Sequence, residues 1–275
     1  MVSVRFLKTL IVLLLLGVIG LSYLGGSLDA KLNRQMKLAL KSPPAPGASA
    51  FREGDYMQTS EGGFRLSEKE IHHLLGQAGL RRSPGIRYWK SSAGPVMAAT
   101  ALGADGEHHF VNAYLVGYAP FEAEDPWVPL YAMGLRLKYR LDSKRYAGIP
   151  DVWQTSQEAF FNALGDCEDH ALLLADWLIE MGYDARVAVG MHRNQGHAWV
   201  VVFGKSEAYL LEATSKRKLK NWKHYPLARM VTDYYGVAMF NREHLWVYSG
   251  RQPTPDYRSP AWVRTSQFFR YAISP

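Results

Sequence analysis

The sequence predicts an α+β fold in which a helix carrying a candidate nucleophile packs on an antiparallel sheet, behind an N-terminal transmembrane helix. Three observations predict it. A single cysteine opens an apolar helical segment, two β-rich segments downstream carry a histidine and a carboxylate at matching positions, and the N-terminus holds a long apolar stretch.

The one cysteine in 275 residues lies in Gly165-Asp166-Cys167-Glu168-Asp169-His170-Ala171, directly ahead of the apolar-periodic run Leu172 to Met181. Asp166 is a suitable N-cap, which places Cys167 on the first helical position. Unpaired backbone N–H groups and the positive end of the helix dipole there favour thiolate over thiol. The polar neighbours on both sides argue against a merely buried hydrophobe. They leave His170, three residues on, as a solvated side chain.

Gly182 closes the helix as a C′ residue, and Arg186 to Gly190 reads as a strand after it. Gly196-His197-Ala198-Trp199-Val200-Val201-Val202-Phe203 and Ala208-Tyr209-Leu210-Leu211-Glu212-Ala213-Thr214 follow, rich in β-branched and aromatic residues and joined by Gly204-Lys205-Ser206-Glu207. They predict a hairpin. A two-residue Gly204-Lys205 turn sets His197 directly opposite Glu212. A four-residue loop sets Glu212 opposite Trp199, diagonal to His197 on the same face. Either register lets an imidazole take a thiol proton while a carboxylate fixes its tautomer. Cys167, His197 and Glu212 are thus candidate nucleophile, base and orienter.

These motifs resemble the transglutaminase-like superfamily of papain-like fold, in its bacterial cysteine-proteinase form: Gly-Asp-Cys-Glu-Asp at 165–169, Gly-His-Ala-Trp at 196–199 and Tyr-Leu-Leu-Glu-Ala-Thr at 209–214. Pro150 to Glu158 is similar to the segment leading into that family's nucleophile helix, and the likeness covers residues 130 to 215. It implies Cys167 as nucleophile, His197 as base and position 212 as third member, where the family usually has aspartate. It further implies an oxyanion donor at Trp153 or Gln154, beside the Cys167 N–H. Calcium enters as a possible cofactor, with Asp166, Glu168 and Asp169 as its ligands. Helix capping and first-turn acids complementing the dipole account for the same three residues.

Around this core, Thr9 to Leu28 is apolar enough to span a bilayer and reads as an uncleaved anchor, since small residues suited to cleavage are poorly placed. The division expected is an anchor or signal segment over 1–30, a Pro-rich linker over 31–55, a small α+β portion over 56–125 and the transglutaminase-like domain over 126–275. Ser67-Glu68-Lys69-Glu70 is a capping box opening a helix that stops near Gly79. His109 to Val111 and Ala113 to Val116 read as strand-like stretches, Leu130 to Leu141 as helix, and Val237 to Phe240 and Leu245 to Tyr248 as further strands. Composition is globular, 48% hydrophobic and 13% aromatic. The net charge of +7 concentrates at Lys216 to His224, too short a basic run for a nucleic-acid surface.

The reading reached is thiol-dependent acyl transfer on protein amide bonds, with a protein or peptide of the cell envelope as substrate and no nucleic-acid partner. The family likeness places the domain in the periplasm on a bacterial inner-membrane anchor. Water as acceptor makes the chain a protease or amidase, and an amine makes it a transglutaminase. The rival is a catalytically silent binding module of the same fold, supported by glutamate at position 212.

Overall fold

The computed structural model describes residues 28–42, 51, 54–92, 94–217, 220–221 and 224–271. It divides into two units, 1–43 and 44–275. In the first, residues 28–39 form helix α1, where the sequence suggests the end of an anchor and the start of a linker. Among the described residues no helix is long and apolar enough to cross a membrane. The apolar stretch from Thr9 lies outside them through residue 27. The fold is therefore corrected to α+β, with no transmembrane helix among the described residues.

The second unit opens with strands β1 (Tyr56–Thr59) and β2 (Arg65–Ser67) and helix α2 (Glu68–Gln77). The capping box is formed: Ser67 accepts the Glu70 N–H, and the Glu70 carboxylate accepts the Ser67 N–H. Strands β3 (Arg87–Lys90), β4 (Val96–Leu102) and β5 (His108–Phe110) make a small antiparallel sheet. Of the strand-like stretches expected at His109 to Val111 and Ala113 to Val116, the first ends at Phe110 and the second is lost, because Val111–Tyr114 coils into a 3₁₀ turn. That turn buries Asn112, whose amide donates to the Asn241 and His244 carbonyls.

Helix α3 (Val128–Arg136) ends five residues short of Leu141, where β6 (Lys138–Tyr139) pairs in parallel with β7 (Leu164–Gly165). Between those strands lies α4 (Ser156–Asn162), and after them α5 (Cys167–Glu180). Strands β8 (Asp184–His192), β9 (Gln195–Phe203), β10 (Ala208–Leu211), β11 (Tyr234–Phe240), β12 (His244–Tyr248) and β13 (Trp262–Phe269) complete an eight-stranded antiparallel sheet. Its order is β10-β9-β8-β11-β12-β13-β1-β2.

Helix α5 packs on β8 and β9 and is covered by α3 and α4. Its run Ala171 to Leu178 is buried on every side, so it is a central helix rather than a half-exposed amphipathic one. Each fully buried Leu or Trp there is worth about 1.5–3 kcal/mol of apolar transfer. One charge lies inside this layer. Asp176, wholly buried, accepts from Ser156 Oγ at 2.5 Å, the Tyr118 N–H at 2.8 Å and Arg242 Nε at 2.6 Å. It thereby ties α5 to α4 and to the β11–β12 turn.

Removing one member of a buried, hydrogen-bonded pair leaves the other uncompensated. Asp176→Ala should therefore lower unfolding free energy by about 3–5 kcal/mol in denaturant titration, whereas a change within about 0.5 kcal/mol, as at an indifferent surface site, would show the network to be dispensable.

Candidate active site

The start of α5 and the β8–β9–β10 meander build the site. Cys167 is the first residue of the helix, half-buried, and its thiol donates to Glu168 Oε2 at 3.3 Å. Arg193 and Asn194, both at positive φ, turn β8 into β9 and fix His192 opposite Gln195. The register follows from that turn, so His197 faces Gly190.

The next hairpin selects between the two registers open to the sequence. Ala208 pairs with Phe203 and Leu211 with Val200, so Gly204 to Glu207 is a four-residue loop, closed by the Gly204 N–H donating to the Glu207 carbonyl at 2.8 Å. Glu212 follows the last pair and stands diagonal to His197. A long side chain reaches across such a diagonal, and Glu212 Oε2 meets His197 Nε2 at 2.8 Å. With Nε2 on the carboxylate, the ring's other polar interaction is with the Cys167 side chain.

Two residues that sequence reasoning missed hold the carboxylate. Tyr234 Oη donates to Glu212 Oε2 at 2.8 Å, while Thr214 donates through its N–H at 3.0 Å and its Oγ1 at 2.6 Å to Oε1. Tyr234 stacks on His192, ring centroids 4.0 Å apart, and meets Trp199 edge-on. Thr214 lies within the quoted motif and offered a local signal, an ST-type turn two residues after the acid. Tyr234 offered none, because its place depends on β11 pairing with β8.

Burial opposes charge on His197, but hydrogen bonds with Cys167 and Glu212 and their negative charge outweigh it and lift the ring to about 10. Burial likewise opposes ionised Glu212, and the His197 and Thr214 hydrogen bonds overcome it, bringing the carboxyl down to about 2. The site therefore favours an imidazolium–carboxylate pair.

The proposed oxyanion donors are both committed elsewhere. Trp153 Nε1 donates to Asp151 Oδ1 at 2.9 Å. Gln154 is wholly buried, its amide donating to the Leu164 carbonyl at 3.0 Å and Asp169 Oδ2 at 2.5 Å, its oxygen accepting from Arg145 and Asn162. Gln154 thus braces the segment from Leu164 to Asp169 that leads into α5. Neither side chain is available as drawn from the sequence.

The acids beside Cys167 also differ from expectation. Asp166 takes the N-cap position but makes no side-chain cap. Its carboxylate turns inward, with Asp142, Glu168 and Asp169, into a buried group whose oxygens lie within 4.8 Å of one another. Asp142, distant in sequence, was missed. Gly165 permits the arrangement, since a Cβ there would overlap the Asp169 carboxylate. Burial, reinforced by neighbouring negative charge, pushes Glu168 and Asp169 well up and Asp142 up to about 7. One oxygen each of Asp142, Asp166 and Glu168 has no hydrogen-bond partner. His170, expected in solvent, is fully buried, and burial brings its ring down to about 4.

Cys167, His197, Asp166 and Glu168 open into one cleft of about 440 Å³, walled by Tyr88, Tyr139, Leu141, Met191 and Val237.

Residues 151–263 match the family model of a CEP76 peptidase-like domain, a span that includes Cys167, His197 and Glu212. Over 62 residues, 22% of this chain, the sequence is 42% identical to the Centrosomal protein of 76 kDa of Xenopus laevis, covering 9% of that protein. Over 61 residues it is 36% identical to human Protein CC2D2B, covering 22% of this chain and 4% of that one. The chain thus spans under a tenth of these relatives' length. Among solved structures, Legionella pneumophila LapG aligns at TM-score 0.37 and 20% identity, over 51% of this chain and 76% of that one. Calcium-bound LapG aligns at 0.38 and 20%, over 55% and 81%. The expected periplasmic domain on a bacterial inner membrane is withdrawn, since no described helix crosses a bilayer and the sequence relatives are frog and human proteins.

The paired shifts set a pH test. The raised His197 contributes stability that is full below its ordinary pKa near 6.5 and lost as pH rises through about 10. The lowered Glu212 contributes above its ordinary 4.5 and loses it as pH falls through about 2. The Tm difference between wild type and Glu212→Gln should be largest between those ordinary values and shrink toward both extremes. A difference independent of pH would contradict the ion pair.

Proposed function

We propose that the chain performs thiol-dependent acyl transfer on amide carbonyls of a protein or peptide, with Cys167 as nucleophile, His197 as general base and acid, and Glu212 as orienter. The observation that supports it most is the Glu212–His197 hydrogen bond at 2.8 Å in the cleft that also holds the only cysteine.

In the resting pair His197 already holds the proton given up by the thiol, so Cys167 attacks as thiolate and its Sγ bonds to the carbonyl carbon, moving the π electrons onto oxygen. The Cys167 backbone N–H, at a helix start, is oriented toward such an oxyanion. Collapse breaks the C–N bond, and imidazolium gives its proton to the departing amine, leaving a thioester. Water, deprotonated by His197, then attacks, releasing a carboxylic acid and the thiol. An amine in place of water yields a new amide instead. Hydrolysis is the reading adopted, so the enzyme is a cysteine peptidase or amidase. The silent-module alternative rested on glutamate at position 212, which reaches the ring it must orient.

Iodoacetamide should label Cys167 at neutral pH at least tenfold faster than a free thiol. His197→Ala should slow it, and Glu212→Asp, too short for the diagonal, should lie between. Labelling at the free-thiol rate in wild type would remove the enzymatic reading. In a protein digest, Cys167→Ala should abolish the new N-termini wild type generates. Acceptor-amine incorporation without new N-termini would instead make the chain a transglutaminase.

The acidic group is suited to calcium by donor chemistry. It offers hard oxygens only, which is calcium's preference, and three of them are buried without partners. Asp142, Asp166 and Glu168 would hold the ion. Asp169, expected as a ligand, has both oxygens on Gln154. A bound cation would supply charge neutralisation that fixes the helix start. Calcium should raise Tm, and EGTA should reverse the rise, in wild type but not in Asp142→Asn. No calcium-dependent shift would discard the site.

A further inference from the structure

The face of the sheet beside His197 carries a feature that thiol chemistry does not require. Strands β8 and β11 run in register from Tyr235 opposite Met191 to Gly236 opposite Gly190, then slip, so that Ala238 faces Val189 and Val237 is the extra residue of a β-bulge. A bulge bends its strand and re-aims a side chain. Here Val237 is 46% exposed and lines the cleft of Cys167.

Gly190 makes the bulge possible. A Cβ at that position would collide with the Tyr235 carbonyl and crowd the Gly236 Cα. The same glycine is the direct partner of His197 on the other side. Three adjacent strands thus present, in a row, the base, a residue without a side chain, and an apolar wall. The result is a trough over Gly190 between imidazole and Val237.

The trough is apolar in its surroundings. Of the thirteen large hydrophobic side chains exposed among the described residues, five line this one cleft: Tyr88, Tyr139, Leu141, Met191 and Val237. Scattered surface hydrophobes need no explanation, but a cluster around a cleft marks a binding surface. Of the cleft's three carboxylates, Asp151 accepts the Trp153 indole N–H, while Asp166 and Glu168 are buried and belong to the inward-turned acidic group rather than to the trough over Gly190.

We propose that the trough between His197 and Val237 is a side-chain subsite, and that it selects polypeptide acyl donors bearing an aliphatic or aromatic residue next to the reacting carbonyl. The proposal rests on the thiol reading above and names the substrate class for it. Val237 is then a specificity-determining residue, and Gly190 positions it through the bulge.

Peptidyl chloromethyl ketones test the subsite directly, because the Cys167 thiolate displaces chloride, forming the C–S bond as the C–Cl bond breaks. The residue next to the ketone is varied among Gly, Leu, Phe, Lys and Glu, and labelling of the single cysteine is followed by mass spectrometry, with iodoacetamide as the reagent lacking a side chain. Leu and Phe reagents should react roughly tenfold or more faster than the Gly, Lys and Glu reagents, the gain expected from burying one such side chain. Val237→Asp should abolish that preference, read as the ratio of the Leu or Phe rate to the Gly rate within the variant so that any change in thiol reactivity cancels. Val237→Thr, nearly the same in shape, should reduce the preference in the same sense should the aspartate variant fold poorly. Equal rates across side chains, a preference for Lys, or a preference that survives both substitutions, with iodoacetamide still fast, would overturn the subsite and leave the thiol chemistry standing. Wild type no faster than a free thiol toward every reagent would overturn both.

Discussion

The hydrogen bond between His197 and Glu212 depends on strand register, and most of the site depends on it in turn. Two loops set it. The Arg193-Asn194 turn fixes β9 against β8, and the Gly204 to Glu207 loop fixes β10 against β9. A shift of one residue in either hairpin would turn one of the partners to the opposite face of the sheet. The diagonal placement explains the side chain at position 212. A carboxylate on a glutamate stem reaches across the diagonal, and Thr214 and Tyr234 hold it there.

The helix supplies the other half. α5 is buried on all sides and anchored in mid-length by Asp176, so its first residue is fixed by the whole layer rather than by a local cap. This accounts for the absence of a capping bond from Asp166. Gln154, Arg145 and the Asp142 turn brace the nucleophile loop instead, and the carboxylate freed from capping joins the buried acids. Positioning and charge are thus handled by different residues on the two sides of the sulfur.

Local signals made much of this legible. The Gly-Asp-Cys run announced a helix start, the β-branched stretches announced a hairpin, and the Ser67 capping box announced α2. The face shared by His197 and Glu212 followed from period-two alternation across a loop of two or four residues, and an odd-numbered loop would have parted them. What escaped depends on contacts between distant segments. Tyr234 reaches Glu212 only because β11 pairs with β8, and Asp142 meets Asp166 only because the 3₁₀ turn Asp142–Lys144 comes against the start of α5, the Asp142 N–H donating to Asp166 Oδ2. Trp153 and Gln154 looked like donors, yet local sequence gives no account of which acceptors consume them. His170 looked solvated beside three acids, while the surrounding layers bury it. The strand-like stretches expected on either side of Asn112 yield to a 3₁₀ turn in which Asn112 finds carbonyl partners 129 and 132 residues away.

The account stands on sulfur and imidazole meeting in the cleft, and the protonation of His197 reports on that meeting most directly. Nitrogen chemical shifts of its ring, followed by NMR against pH in wild type and in Cys167→Ala, would decide it. The account predicts an imidazolium that persists well above neutrality in wild type, toward about 10, and titrates lower once the sulfur is removed. A ring that titrates near 6.5 in both proteins would contradict it.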